Sequence, residues 1–178
     1  KFFLFAGAVK PRKNVGNIVR AFKELHPRHS SYHLVLAGAN SGKYGDYIRN
    51  LAGEDGIKER VHFIGHLNDG KLSFLYRQAA ALVFPSLVEG FGFPVLEAMS
   101  CGLPVITSNQ SSLAEIGRGA ALLVDPHNSS DIAGAMERVI TDQSLRNNLI
   151  KQGFRRAQNF NWVKTVTEYK SLFKSFEK

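Results

Sequence analysis

The apolar residues of this chain gather in short, nearly unbroken runs, and most runs lead into a stretch where apolar residues recur every three or four positions. The runs are Phe2 to Val9, Tyr32 to Gly38, Val61 to Gly65, Ala81 to Pro85, Leu103 to Thr107 and Ala120 to Val124. A strand that is apolar throughout, rather than alternating, is buried on both faces, as in parallel sheets wrapped by helices. Among the helical stretches, Asn14 to Leu25 sets Val15, Ile18, Val19, Phe22 and Leu25 on one face. Segments from about Tyr44 to Leu51, Leu72 to Ala79 and Phe93 to Ser100 follow the same logic, and Gly102 stops the last of them. Repeated strand–helix units of this kind predict an α/β protein with a Rossmann-like, doubly wound parallel sheet. After Asp125 the strands cease, and Ser129 to Thr141, Gln143 to Asn159 and Trp162 to Phe176 predict C-terminal helices. Trp162, Tyr169, Phe173 and Phe176 lie at helical spacing, a pattern that predicts packing as core.

The length of 178 residues suits one domain, and a hydrophobic content of 44 %, with thirteen Phe, supplies a sizeable core. No apolar run reaches the eighteen or so residues that a membrane-spanning helix needs. The opening Lys1 to Val9 is apolar but short and lacks a small-residue cleavage site, so it reads as a strand rather than a secretion signal. Cys101 is the single cysteine, which excludes an internal disulfide and a cysteine-based metal cluster. That fits a reducing compartment, and the expected location is cytoplasmic. The sequons at Asn109 and Asn128 would matter only in a secretory protein. The net charge of +8 favours anionic partners, but the basic residues are scattered without aromatic interleaving, so no nucleic acid is expected.

In an open parallel sheet, ligands bind beyond the carboxyl ends of the strands. The loop after the first strand, Gly7 to Asn14, carries Arg12 and Lys13 just before a helix start, where unpaired N–H groups and the helix dipole favour anions. These cations could hold a diphosphate or be solvated loop charges; the pattern alone allows both. Gly38 to Tyr44 looks like a phosphate loop but fails, because its glycines are too close and Tyr44 stands where a Ser or Thr is needed. Phe63 to Leu67 could offer backbone to a flat base, with His66 a polar loop residue. The loop after the fourth strand runs Pro85-Ser86-Leu87-Val88-Glu89-Gly90-Phe91-Gly92-Phe93-Pro94-Val95-Leu96-Glu97. Gly90 and Gly92 permit close backbone approach, Pro94 suits a first helical turn, and the N–H groups around Phe93, Val95 and Leu96 should face the helix mouth. Glu97 falls a turn inside and Glu89 sits on the loop; either could meet ligand hydroxyls, or serve as an exposed helix residue and a loop cap.

This segment resembles the E-x7-E motif of retaining glycosyltransferases of the GT-B fold, in the large group 1 family (family 4), with Glu89 and Glu97 at the two Glu positions. The resemblance extends to Gly7 with Pro11-Arg12-Lys13-Asn14, to Phe63-Ile64-Gly65-His66-Leu67 and to Leu82-Val83-Phe84-Pro85-Ser86. It continues through Gly102 to Ser108, Ser111 to Glu115 and Leu122 to Pro126, so nearly the whole chain is covered in the right order. It implies one half of a GT-B fold: the C-terminal, donor-binding domain, spanning 1–178, with 161–178 the terminal helix that crosses back to an N-terminal acceptor domain. It also implies that the acceptor domain is absent and that the isolated chain transfers little. The donor would be a nucleoside-diphosphate sugar, GDP-mannose slightly favoured, and the acceptor a glycan or lipid-linked sugar, with peripheral membrane contact open to the full enzyme. By the same resemblance, Arg12 and Lys13 neutralise the diphosphate, and Gly90, Phe91, Gly92, Phe93, Pro94 and Val95 shape the cradle. Glu89 is the catalytic contact with the sugar, Glu97 binds ribose hydroxyls, and Gly65 and Leu67 border the base. Many family members carry Arg directly after the first-strand Gly; here Ala8 stands there, and Arg12 is the residue available to compensate. No Asp-x-Asp occurs, so neither metal nor other cofactor is expected. The competing readings are a nucleotide-sugar-binding module without chemistry, a GT-B epimerase or phosphorylase half, and, last, a DNA-binding protein.

Overall fold

A computed structural model describes residues 1–54 and 56–176. The apolar runs become β1 (Phe2–Ala6), β2 (His33–Ala37), β3 (Val61–Gly65), β4 (Leu82–Phe84), β5 (Val105–Ser108) and β6 (Leu122–Val124). They form one parallel sheet in the order β3-β2-β1-β4-β5-β6. Because β1 and β4 are neighbours, the chain builds outward from β1 in one direction and from β4 in the other. The loops leaving these two strands therefore diverge and open a crevice between them.

Interleaved with the strands are α1 (Val15–Leu25), α2 (Lys43–Glu54), α3 (Asp69–Gln78), α4 (Phe93–Ser100) and α5 (Ser111–Gly117). After β6 come α6 (Ser129–Thr141), α7 (Gln143–Gln158) and α8 (Trp162–Lys174). Right-handed crossovers put α1 and α2 on one face, where α6 also packs on α1, and α3, α4 and α5 on the other, where α7 packs on α4. Phe3, Leu4, Phe5, Phe84, Leu34 and Leu36 from the strands are fully buried with Ile18 and Phe22 of α1. Phe5 stacks on Phe84 across the β1/β4 junction, with ring centroids 5.8 Å apart. Each such side chain contributes about 1.5–3 kcal/mol by leaving water, so the junction that positions the crevice is also among the best-anchored parts of the sheet.

Three strands, β1, β2 and β4, end sooner than their apolar runs. β1 stops at Ala6, not Val9, because Gly7 turns the chain at φ 148°. Gly38, after β2, presses so close that an added Cβ would lie 2.0 Å from the Gly7 carbonyl oxygen. Helix α5 was not signalled by periodicity, since its seven residues place only Leu113, Ile116 and Gly117 inside. The Gly38 to Tyr44 segment is a turn into α2, with the Tyr44 hydroxyl accepting the Gly16 N–H at 3.3 Å.

The largest departure is α8. Its aromatic stripe does not join the core: Trp162 is 74 % exposed and Phe173 64 %, Tyr169 and Phe176 stand out as well, and α8 buries no residue. Periodicity reports that a helix has an apolar face, not that a second surface covers it. Glu177 and Lys178, the end of the expected 161–178 segment, lie outside the described residues.

Candidate functional site

The crevice is built by the loops that follow β1 and β4. Pro11–Lys13 forms a single 3-10 turn that ends in Asn14, a left-handed residue at φ 60°. Asparagine tolerates that conformation better than most side chains. Its buried amide donates to the Pro85 carbonyl at 3.0 Å and to the Pro126 carbonyl at 2.6 Å, and Asn17 adds a bond to Pro126 at 2.9 Å. The Leu87 N–H donates to the Arg12 carbonyl at 2.9 Å. Loops after β1, β4 and β6 are thereby tied together at the carboxyl edge of the sheet.

This tie brings Arg12 and Lys13 to Glu89, more than seventy residues along the chain. Lys13 Nζ lies 2.6 Å from Glu89 Oε1, and Arg12 Nη1 lies 3.1 Å from Oε2. Lys13 also sits over the Phe84 ring, 4.7 Å from its centroid. The side chains of Glu89 and Lys13 are only 9 % and 12 % exposed, while Arg12 is 56 % exposed. Burial by itself pushes the Glu89 carboxyl up, but the hydrogen bonds and charge of Lys13, with Ser86 and Arg12, overcome it and hold the carboxyl below its ordinary value. Glu89 is therefore ionised at neutral pH. The Ser112 hydroxyl donates to the Glu89 backbone carbonyl at 2.9 Å and fixes the loop from the side of α5.

Helix α4 opens on the same crevice. Gly92 caps it at φ 120°, no side chain caps it, and Pro94 occupies its first turn. A Cβ on Gly92 would lie 2.7 Å from Leu113 Cδ2, whereas one on Gly90 would meet nothing within 4 Å. Close approach thus explains Gly92 but not Gly90. The Val95 N–H is turned back to the Gly92 carbonyl at 3.0 Å and its side chain is buried, so it does not face the mouth as expected. The tightened first turn has used that donor, and Pro94 has no N–H to offer.

Glu97, one turn further, receives the Tyr76 hydroxyl at 2.9 Å. Burial first, and the nearby Glu97 second, push the Tyr76 hydroxyl far above its ordinary value, so it stays protonated and donates. Glu97 lines an open groove of about 1000 Å³ between α3, α4 and the start of α8, together with Tyr76, Phe91, Phe93, Phe160 and Trp162. The Phe91 ring lies 4.8 Å from Phe93 and 5.9 Å from Phe160. Arg12, Lys13, Glu89, Gly65 and Leu67 do not line this groove. Gly65 closes β3 at φ 72° with its carbonyl accepting the Gly38 N–H at 2.7 Å; Leu67 packs half-buried beside the core, and His66 is exposed. Among the described residues no three His, Cys, Asp or Glu side chains gather as metal ligands.

Sequence reasoning missed Tyr76 and Ser112 as partners of the two glutamates and did not assign Asn14 its fastening role. Tyr76 and Ser112 reach their glutamates only through tertiary contact, and no local pattern marks them. The left-handed Asn14 has a local signal in the Lys-Asn pair at a helix start.

A doubly wound parallel sheet, with two cations and a carboxylate meeting at the point where its strand order reverses, defines a Rossmann-like domain of the kind that makes up half of a GT-B fold. Residues 1–156 match the family model described as glycosyl transferases group 1, and the chain belongs to that family. It is 35 % identical to O-antigen chain mannosyltransferase B of Escherichia coli, over 96 % of this chain and 46 % of that protein. Among solved structures, an Anabaena protein, HepE, in complex with UDP-glucose superposes with a TM-score of 0.87 at 22 % identity, covering 98 % of this chain and 48 % of HepE. The C-terminal domain of a group 1 glycosyl transferase, LpcC, from Francisella tularensis gives a TM-score of 0.77 at 22 % identity, over 89 % of this chain and 84 % of that one. The chain spans about half the length of the curated relatives it matches. No helix among the described residues is long and apolar enough to cross a membrane.

Proposed function

We propose that this chain forms the donor-binding half of a retaining glycosyltransferase that moves a sugar from a nucleoside diphosphate to a glycan or lipid-linked acceptor. The observation that carries the reading is the convergence of Arg12, Lys13 and Glu89 at the β1/β4 switch point, beside the open end of α4. Family membership and the mannosyltransferase relative support sugar transfer. The HepE complex shows that a protein of this fold holds a nucleotide sugar.

In this reading Arg12 and Lys13 face the diphosphate and offset the charge it gains as the anomeric C–O bond breaks. The α4 N-terminus, with the Phe93 N–H and the glycine backbone before it, adds a fixed positive dipole without reorganisation. Two cations and a helix end can supply the charge stabilisation that a divalent metal provides elsewhere, so transfer proceeds without one. Glu89 meets the sugar hydroxyls. Glu97, oriented by Tyr76, binds the ribose from the groove side, and Gly65 and Leu67 border the base. A second domain carries the acceptor, and closing the two halves excludes water. GDP-mannose is the favoured donor, on the mannosyltransferase likeness.

Calorimetric titration of the chain with GDP, UDP, dTDP and ADP, each with and without its sugar, tests this. Selective binding of one nucleotide, weakened at least tenfold in Lys13→Ala, is the expected result. Binding unaffected by Lys13→Ala would remove the crevice as the site.

A further inference from the structure

Resting on that reading, we infer that Glu89 acts as a built-in competitor for the diphosphate, so that the site favours an intact nucleotide sugar over the free nucleoside diphosphate. The geometry carries it. Both cations assigned to the diphosphate are already on Glu89, at 2.6 and 3.1 Å, one on each carboxylate oxygen. The carboxylate is 9 % exposed and Lys13 12 %, so the Lys13 pair is shielded from water and its charges are poorly screened. The backbone on either side of the triad is fastened. Asn14 and the Leu87–Arg12 bond hold the β1 loop to the β4 loop, and Ser112 holds the Glu89 carbonyl. Glu89 therefore has little backbone freedom to withdraw when another anion arrives.

A free diphosphate entering this site competes with Glu89 for Arg12 and Lys13 and then lies beside a shielded carboxylate that keeps only Ser86 as an undivided partner. Leaving a shielded anion short of partners is costly. A diphosphate carrying a sugar brings hydroxyl donors with it, and these can satisfy the carboxylate as its cations turn to the phosphates. The same carboxylate thus penalises the product left after transfer and spares the donor before it. Its effect is on discrimination and product release, not only on contact with the sugar.

The sign of one measurement separates this from a merely structural role. If Glu89 only positioned Arg12 and Lys13, its removal would loosen them and weaken diphosphate binding. As a competitor, its removal must strengthen it. Inorganic pyrophosphate is the probe, because it carries the diphosphate without base or sugar. In calorimetric titrations of this chain, Glu89→Gln should bind pyrophosphate about tenfold or more tightly than the wild type. GDP should gain similarly, and the preference for GDP-mannose over GDP should shrink. Glu89→Ala, checked for folding by circular dichroism alongside it, should show the same direction of change. Equal or weaker pyrophosphate binding in folded variants would overturn the inference while leaving the donor site intact, provided the wild type binds and Lys13→Ala does not. Absence of binding by the wild type and both variants, to pyrophosphate and to every nucleoside diphosphate tried, would overturn the donor site and the inference together.

Discussion

Asn14 shows how one residue can tie together a site it does not enter. Its left-handed backbone ends the turn that presents Arg12 and Lys13, and its amide satisfies carbonyls of two other crossover loops. Asn14→Ala leaves those carbonyls short of a donor and strains the backbone, so it should lower stability by about 2–3 kcal/mol in urea unfolding. Asn14→Gly relieves only the backbone part and should fall between Ala and wild type; a cost equal to Ala's would mean that the amide alone matters. Glu89 makes a prediction about acid. Its carboxyl is held below the ordinary 4.5, so the unfolded chain takes up a proton there before the folded one does. The associated stability is fully present above that ordinary value and is lost as pH falls through the lowered folded value. Thermal unfolding followed below pH 4.5 should decline less steeply in Glu89→Gln than in the wild type, and parallel slopes would contradict the pairing. Arg12, Lys13 and Glu89 could be singled out from the sequence as charged residues in loops that leave strands, and Glu97 by its spacing from Glu89 at the start of a helix. Tyr76 could not, because a half-polar side chain on an amphipathic helix gives no sign of which distant carboxylate it will meet.

At the scale of elements, the strands were legible because burial on both faces writes an unbroken apolar run, as in Phe2–Ala6 and Leu82–Phe84. The ends of β1 and β2 were not, since Gly7 and Gly38 turn the chain while Ala8 and Val9, or Ala39, still read as apolar. Helix α5 shows the lower limit of periodicity: two inward apolar side chains one turn apart, Leu113 and Ile116, do not distinguish a helix from a loop. The mouth of α4 shows another gap. The sequence placed the helix start correctly, but which N–H groups stay free depends on whether the first turn is α or 3-10, and Val95 is used by the tighter turn. The junction of α4 with α5 rests on Gly92, where φ is 120° and a Cβ would meet Leu113 Cδ2 at 2.7 Å. Gly92→Ala should therefore cost roughly 2 kcal/mol of stability and also weaken nucleotide binding, by pushing α4 away from α5. Gly90→Ala should be close to neutral in stability, because its Cβ would meet nothing within 4 Å. Equal urea midpoints for the two variants would contradict both the Leu113 contact and the backbone strain at Gly92.

At the scale of the whole molecule, the sheet and α8 should behave as separate units of stability. Helices α1 to α7 each bury at least one side chain or glycine against the body, and α7 is locked to α4 closely enough that a Cβ on Gly153 would lie 3.2 Å from Met99 Cγ. Helix α8 buries nothing over its 13 residues. A helix of that length without packing is marginal in water, and the Asn161 side chain capping the Lys164 N–H at 2.8 Å contributes only about 1 kcal/mol. Amide hydrogen exchange should show β1, β4 and α1 protected to the level of global unfolding, while the amides of Trp162–Lys174 exchange many-fold faster. If α8 were as protected as α7, its aromatic face would have to be covered in solution, and analytical ultracentrifugation would then show whether a second copy of the chain covers it. Because α8 forms one wall of the Glu97 groove, its protection also bears on ligand binding. A nucleotide held in that groove should slow exchange at Trp162 and Lys164 along with Glu97, whereas one bound only at Arg12, Lys13 and Glu89 should leave α8 unchanged.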